Sequence, residues 1–232
     1  MLHQLSCLCF LVATVSVAMA RESTDPASID IVRDAELKGL QSLIGPRVVQ
    51  ISRRQTKKGG VTYPGGYETH GNGWRLGQSL VLTASALVEG WSAADSDRLT
   101  VTIGGEPRPA RVTRIDIRKG IAVLAVEAMP AASERYPTWS PPADREFWPG
   151  RPVFAAGPGT HARRFAFTGP SPEPFSYYLS STGDLPLGTP LTDAQGRLLT
   201  LVGLLHFEQP GVIFLLPADA LRWVKQATEG GP

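Results

Sequence analysis

Short apolar runs rich in Val, Ile, Leu and Thr recur along the chain after residue 46, and Gly, Pro and Asp punctuate them. The clearest runs are Val48–Ile51, Ser79–Thr83, Leu99–Ile103 and Ile121–Val126. Runs this short and this rich in β-branched residues are typical of strands, because an amphipathic helix needs a longer segment with apolar residues every three or four positions. A content of 24 Gly and 20 Pro suits many tight turns. The pattern therefore predicts an all-β fold.

Two segments have helical spacing instead. Ile29–Ile44 ends at a Gly-Pro pair and predicts an N-terminal helix. Pro217–Ala227 opens with Pro, which favours the first turn of a helix, and predicts a C-terminal helix.

The strand-like runs fall into two groups, separated by a Pro-rich segment at 129–149 that has the composition of a linker. We predict two packed six-stranded β-barrels, one at 46–128 and one at 150–227, the second including the C-terminal helix. Residues 21–45 form a polar segment followed by the N-terminal helix in this scheme.

Residues 1–20 have the layout of a secretory signal peptide, with an apolar run at Leu5–Val17 followed by Ala18-Met19-Ala20. The alternative is a short membrane anchor, although the run is shorter than the ~20 residues that a bilayer span prefers. The sequence thus predicts an exported protein, periplasmic or secreted, with no membrane contact beyond the signal peptide.

Both cysteines, Cys7 and Cys9, lie inside the predicted signal peptide. The mature chain is therefore expected to lack disulfides, thiolate metal sites and a cysteine nucleophile. We expect no cofactor and no metal. The net charge of +2 gives no reason to expect a nucleic-acid partner.

Seven blocks of the sequence, in order, resemble the HtrA/DegP-like branch of the trypsin-fold (PA clan) serine proteases. Together they cover about residues 46–225. The blocks are Gly71–Leu76 (family G-S-G-F), Val81–Val88 (I-L-T-N-A-H-V-V), Asp116–Leu124 (D-x-x-x-D-L-A-L-L), Pro149–Gly157 (G-x-x-V-x-A-I-G), Leu185–Leu191 (G-N-S-G-G-P-L), Asp193–Leu199 and Gly211–Ala220. The resemblance implies the chymotrypsin/trypsin-like double barrel. No PDZ domain is expected after it.

The same resemblance assigns the three catalytic positions to Ala86, Gly120 and Leu187, where the family has His, Asp and Ser. None of these residues supplies a base, an acceptor or a nucleophile. At the oxyanion turn the family's Gly and Asn are replaced by Leu185 and Pro186, and the Leu disfavours the positive φ that glycine adopts. The sequence thus predicts a serine-protease homologue that is catalytically inactive and is not an enzyme.

The leading functional prediction is a peptide- or protein-binding scaffold that uses the cleft between the barrels. Three alternatives stay open. In the first, a shift in the alignment hides a true triad and the chain is an active trypsin-like endopeptidase. In the second, it is another hydrolase with an unrecognised catalytic constellation. In the third, it is a structural protein of the cell envelope.

The remaining polar candidates are expected to be ordinary surface or turn residues. They are His70, His161, His206, the segment Ser181–Asp184 and the basic run Arg53–Lys58. The segment 59–73 is expected to be a long loop, which leaves a role in recognition open.

Overall fold

The structure is a computed structural model that describes residues 26–58, 61–91, 98–118, 120–127, 148–158, 161–170, 176–179, 185–203 and 212–215. The predicted signal peptide and C-terminal helix lie outside these residues, as do His206, Ser181–Asp184 and most of the Pro-rich segment. No helix in the described part of the chain is both long and apolar enough to cross a bilayer.

The first barrel follows helix α1 (Pro26–Ile44) and a 3-10 turn at Gly45–Arg47. Its strand order is β1-β2-β3-β6-β5-β4, closed by pairing of β4 with β1, and a short helix, α2, follows β3. These elements are β1 (Val48–Lys58), β2 (Val61–Arg75), β3 (Leu80–Ala84), α2 (Ser85–Val88), β4 (Arg98–Ile103), β5 (Glu106–Asp116) and β6 (Ile121–Val126).

Alternation along the strands fills this barrel, because successive side chains of a strand point to opposite faces. Val49 and Ile51 of β1 point inward with Val81, Val101 and Leu124, and all five are almost completely buried. The all-β prediction with a closed six-stranded barrel is confirmed.

The second sheet has the order β10-β11-β12-β9-β8-β7 and closes through pairing of β7 with β10. Phe167, Leu191 and Leu199 belong to its buried interior. Its strands are β7 (Pro152–Ala155), β8 (Arg163–Pro170), β9 (Ser176–Leu179), β10 (Pro190–Thr192), β11 (Leu198–Leu201) and β12 (Val212–Leu215).

A third apolar cluster joins the two barrels to α1. Leu40 and Ile44 of α1 contact a buried set that draws Trp74 and Ile121 from the first barrel and Leu198 from the second. This shared core fixes the barrels against each other along one side.

The segment 59–73 was expected to be a loop, but its residues 61–73 belong to β2, so the expectation is wrong for these residues. Lys58 pairs with Val61 at one end of the hairpin, and Ser52 pairs with His70 further along. The hairpin accommodates the Gly65-Gly66 pair by a register shift between Gln55 and Lys57 and then resumes pairing.

The basic run on β1 is not uniformly solvated as expected. Arg53 is 4% exposed, and its Nη1 donates a hydrogen bond of 2.6 Å to the carbonyl oxygen of Glu89. Its neighbour Arg54 is exposed and donates to the Gly65 carbonyl. The difference follows from strand alternation, which turns Arg53 to the inner face and Arg54 to the outer face.

Candidate functional site

Hydrogen bonds centred on Asn72 of β2 join the barrels. The Asn72 backbone N–H donates to the Leu187 carbonyl at 2.7 Å, and its side-chain Nδ2 donates to Thr189 Oγ1 at 2.9 Å. The Asn72 carbonyl accepts from Thr83 Oγ1 at 2.7 Å. All three polar side chains are buried. A buried polar group is costly unless it is paired, so this satisfied network fixes the position of the turn before β10.

Gly188 lets that turn approach β2. Its φ is +75°, in the left-handed region that favours glycine, and its N–H donates to the Val202 carbonyl at 2.7 Å. A Cβ at this position would overlap the Asn72 carbonyl oxygen and Thr83 Oγ1. Only glycine fits at this point of the junction.

The three positions assigned by resemblance lie on segments that hydrogen bonds and close contacts connect. Ala86 is in α2, whose first residue, Ser85, donates its N–H to the Gly120 carbonyl at 2.9 Å. A Cβ placed on Gly71 would lie 2.7 Å from the Leu187 carbonyl oxygen and 2.8 Å from Leu87 Cδ2. The α2 segment and the turn before β10 therefore meet beside Gly71, and the turn before β6 is hydrogen-bonded to the start of α2.

The two residues assigned to the oxyanion turn have different environments. Leu185 is 8% exposed and packs in the core of the second barrel. Pro186 is exposed, has no N–H to donate, and accepts at its carbonyl from the N–H and Oγ1 of Thr189, at 3.2 and 2.7 Å.

A cleft of about 300 Å³ opens beside this turn and is lined from both barrels. Gln50 and Asn72 come from β1 and β2, and the remaining wall comes from the second barrel. That wall consists of Ala155, Ala156, Gly157, Pro158, His161, Arg163, Leu185, Pro186 and Thr189. Among the described residues, the lining of the cleft is mostly apolar and includes Arg163 and His161.

His70 has partners that the sequence did not reveal. Its Nδ1 lies 3.0 Å from Ser52 Oγ, and its Nε2 lies 3.9 Å from Glu68 Oε2. Ser52 and His70 are opposed only because the β1–β2 hairpin pairs them. This contact follows from the register of the β1–β2 hairpin. That register was not predicted, because residues 59–73 were expected to form a loop.

No group of three or more His, Cys, Asp or Glu in the described ranges has a geometry that could hold a metal ion.

No family model matches this chain. No curated protein matches it either. The solved structures that it resembles include those of a protease, and the shared fold is that of the trypsin-like serine proteases, as the sequence resemblance implied.

Three of these structures are of Rv3671c. The active form of the Rv3671c protease from M. tuberculosis is 22% identical over 86% of this chain and 85% of that chain, with a TM-score of 0.56. An inactive form of Rv3671c from M. tuberculosis H37Rv, a serine-to-alanine mutant, is 22% identical over 90% of this chain and 96% of that chain, with a TM-score of 0.57. A further inactive form is 20% identical over 87% of this chain and 95% of that chain, with a TM-score of 0.54.

The prediction that the chain is not an enzyme is contradicted by these comparisons, because the structures that share its fold are of a protease, one of them in its active form. The prediction assumed that only the residues at positions 86, 120 and 187 could catalyse a reaction in this fold. Replacement of those residues does not exclude hydrolysis by side chains elsewhere in the chain.

Proposed function

We propose that this chain is an exported serine-protease homologue that binds an extended polypeptide segment in the cleft between its barrels and has lost the Ser–His–Asp triad. The observation that carries the proposal is the meeting of three segments at the barrel junction. The backbone N–H of Ser85 donates a hydrogen bond to the Gly120 carbonyl, and the backbone N–H of Asn72 donates to the Leu187 carbonyl. The residues at positions 86, 120 and 187 in those segments are Ala, Gly and Leu, which offer no proton acceptor and no nucleophile.

Apolar surface beside this junction supports a polypeptide ligand. Ile117 is 59% exposed and its carbonyl accepts the N–H of Gly120 at 3.1 Å, so it borders one of the three segments. Ile115, two residues earlier, is 39% exposed. Exposed apolar side chains such as these favour binding of another polypeptide, since binding removes them from water.

A second candidate function, hydrolysis, is favoured by one specific observation. Ser52, His70 and Glu68 form a chain of contacts in which the serine Oγ and the imidazole Nδ1 lie 3.0 Å apart, and the imidazole Nε2 lies 3.9 Å from the Glu68 carboxylate. A nucleophile beside a base that a third group orients is the general pattern of covalent catalysis. His70 and Glu68 are both more than half exposed, so water competes for each contact and weakens this candidate.

A fluorophosphonate probe separates the two candidates. We expect the mature protein to be retained on immobilised unfolded casein, to leave casein uncleaved, and to gain no probe adduct in intact-mass analysis, because position 187 has no hydroxyl.

Ser52→Ala is the informative variant for this test. Ser42→Ala is its matched control, because Ser42 is an exposed serine on α1. An adduct that Ser52→Ala removes and Ser42→Ala keeps would replace binding by hydrolysis as the function. Failure of the unlabelled protein to bind casein counts against the proposed function.

Export is tested separately by the mass of the mature chain. If residues 1–20 are removed as a signal peptide, the mature protein begins at Arg21. An intact N-terminal Met1 in a soluble cytoplasmic fraction contradicts export.

A further inference from the structure

A second cavity, of about 420 Å³, lies between α1 and the residues that precede β8. Its lining among the described residues consists of Leu37, Lys38, Gln41, Ser42, His161 and Ala162. The α1 residues of this lining share one face of the helix, because residues three and four positions apart lie above one another. The neighbouring face carries Leu40 and Ile44, which are buried in the cluster that joins the barrels. Helix α1 is therefore anchored along one stripe and forms the wall of a cavity along the next.

This cavity and the cleft between the barrels share a wall. His161 lines both spaces. Of the two residues that follow it, Ala162 lines the cavity, and Arg163, the first residue of β8, lines the cleft. Ala162 is 5% exposed and belongs to the same buried cluster as Leu40 and Ile44, so this wall is fixed in the shared core. The two spaces therefore adjoin at His161.

The cavity offers both an apolar surface and a hydrogen-bonding group, as a bound polypeptide requires. Leu37 and Ala162 supply the apolar part. Gln41 Oε1 is buried and has no hydrogen-bond partner among the residues that the structure describes. A buried acceptor without a partner is rare and costly. The terminal torsion of a glutamine is soft, so a turn of the amide would bring this oxygen to the N–H of a peptide group in the cavity.

We propose that the cleft and this cavity form one groove, and that the polypeptide ligand extends from the cleft past His161 to the face of α1 that carries Gln41. This inference rests on the proposed function and adds the path and the length of its ligand. Each space has a volume in the range of ligand sites, about 300–1,000 Å³. The ligand is then an extended segment of several residues, with an apolar side chain placed beside Leu37.

Two fluorescent peptides of one apolar sequence, three and eight residues long, test the proposal on the full mature protein. When extended they span about 10 and 28 Å, so only the longer one reaches well beyond the cleft. We expect the longer peptide to bind about tenfold more tightly, the effect of taking one further apolar side chain out of water.

Ser42→Trp is the informative variant, because a large ring at this position occupies the cavity. Ser42 is exposed, and its hydroxyl donates within α1 to the Lys38 carbonyl at 3.1 Å, so we expect the variant to fold. It is expected to lose the tenfold gain and to bind the short peptide as the wild-type protein does. Glu36→Trp is the matched control, because Glu36 is also exposed on α1 but does not line the cavity. It is expected to keep the gain.

A benzophenone at either end of the longer peptide gives a second measurement that needs no variant. One end is expected to cross-link to residues 37–42 of α1 and the other to the cleft around Gln50. Cross-links from both ends that spare α1 overturn the inference.

The binding results separate this inference from the proposed function. Equal affinity of the two peptides for the wild-type protein, or a gain that survives Ser42→Trp, overturns the inference and leaves binding in the cleft standing. Loss of the gain in both tryptophan variants, or loss of short-peptide binding in Ser42→Trp, also overturns it, because the effect then does not belong to a separate cavity. If neither peptide binds, the proposed function fails and this inference fails with it.

Discussion

The Gly188→Ala variant is expected to lose about 2–5 kcal/mol of unfolding free energy. One part of the loss comes from the backbone, because a non-glycine residue in the left-handed region costs about 1–2 kcal/mol and φ here is +75°. The other part comes from overlap of the new methyl group with the Asn72 carbonyl oxygen and Thr83 Oγ1, and overpacking costs about 1–3 kcal/mol. The Asn72 carbonyl belongs to the backbone of a paired strand, so it cannot move aside cheaply.

Gly104→Ala separates these two parts. Gly104 has a φ of +59°, but no atom lies within 4 Å of a Cβ built on it. It is therefore expected to lose only the backbone part, about 1–2 kcal/mol. Urea unfolding of the mature protein and both variants measures the difference. Equal losses in the two variants would show that the turn before β10 does not approach β2 as closely as described.

The Asn72→Asp variant is expected to lose about 3–5 kcal/mol, the cost of an uncompensated charge at a buried site. The asparagine Nδ2 donates to Thr189 Oγ1, while the Thr189 hydroxyl proton is already directed to the Pro186 carbonyl. A carboxylate at this position would face an oxygen with no proton to give. Asn72 is 5% exposed, so water cannot easily compensate.

Gln50→Glu is the control for this change of amide to carboxylate. Gln50 pairs with Asn72 across the hairpin but is exposed, so the same substitution is expected to change the unfolding free energy by less than about 0.5 kcal/mol. Chemical denaturation at neutral pH compares the two. A loss in Asn72→Asp as small as that in Gln50→Glu contradicts the buried junction between the barrels.

Local pattern predicted the strands whose side chains are buried on one or both faces. Ile121–Val126 is a continuous apolar run, and β6 has the same bounds in the structure. The β1–β2 hairpin was missed because its distal half carries Pro64 and the Gly65-Gly66 pair, which locally favour a turn. Cross-strand pairing overrides that preference, and pairing is not visible from one strand alone.

The cleft was beyond sequence reasoning for a similar reason. Gln50 and Arg163 are far apart in the chain, and only the packing of the two barrels makes them face one cavity. Arg163 belonged to no motif, and His161 was expected to be an ordinary surface or turn residue. Positions 86, 120 and 187 were assigned as the triad positions by aligning the sequence blocks with the protease family that they resemble. The prediction that the chain is not an enzyme was wrong because it judged the chemistry of the whole chain from those three positions alone.

Binding of a polypeptide segment in the cleft between the barrels can be tested with a bound peptide that carries a photoreactive benzophenone side chain. The cross-linked residues are identified by mass spectrometry. We expect cross-links on both sides of the cleft, to the segment around Gln50 in the first barrel and to the segment 155–163 or the turn 185–189 in the second. Cross-links confined to another surface, such as the distal hairpin at 61–67, would contradict it.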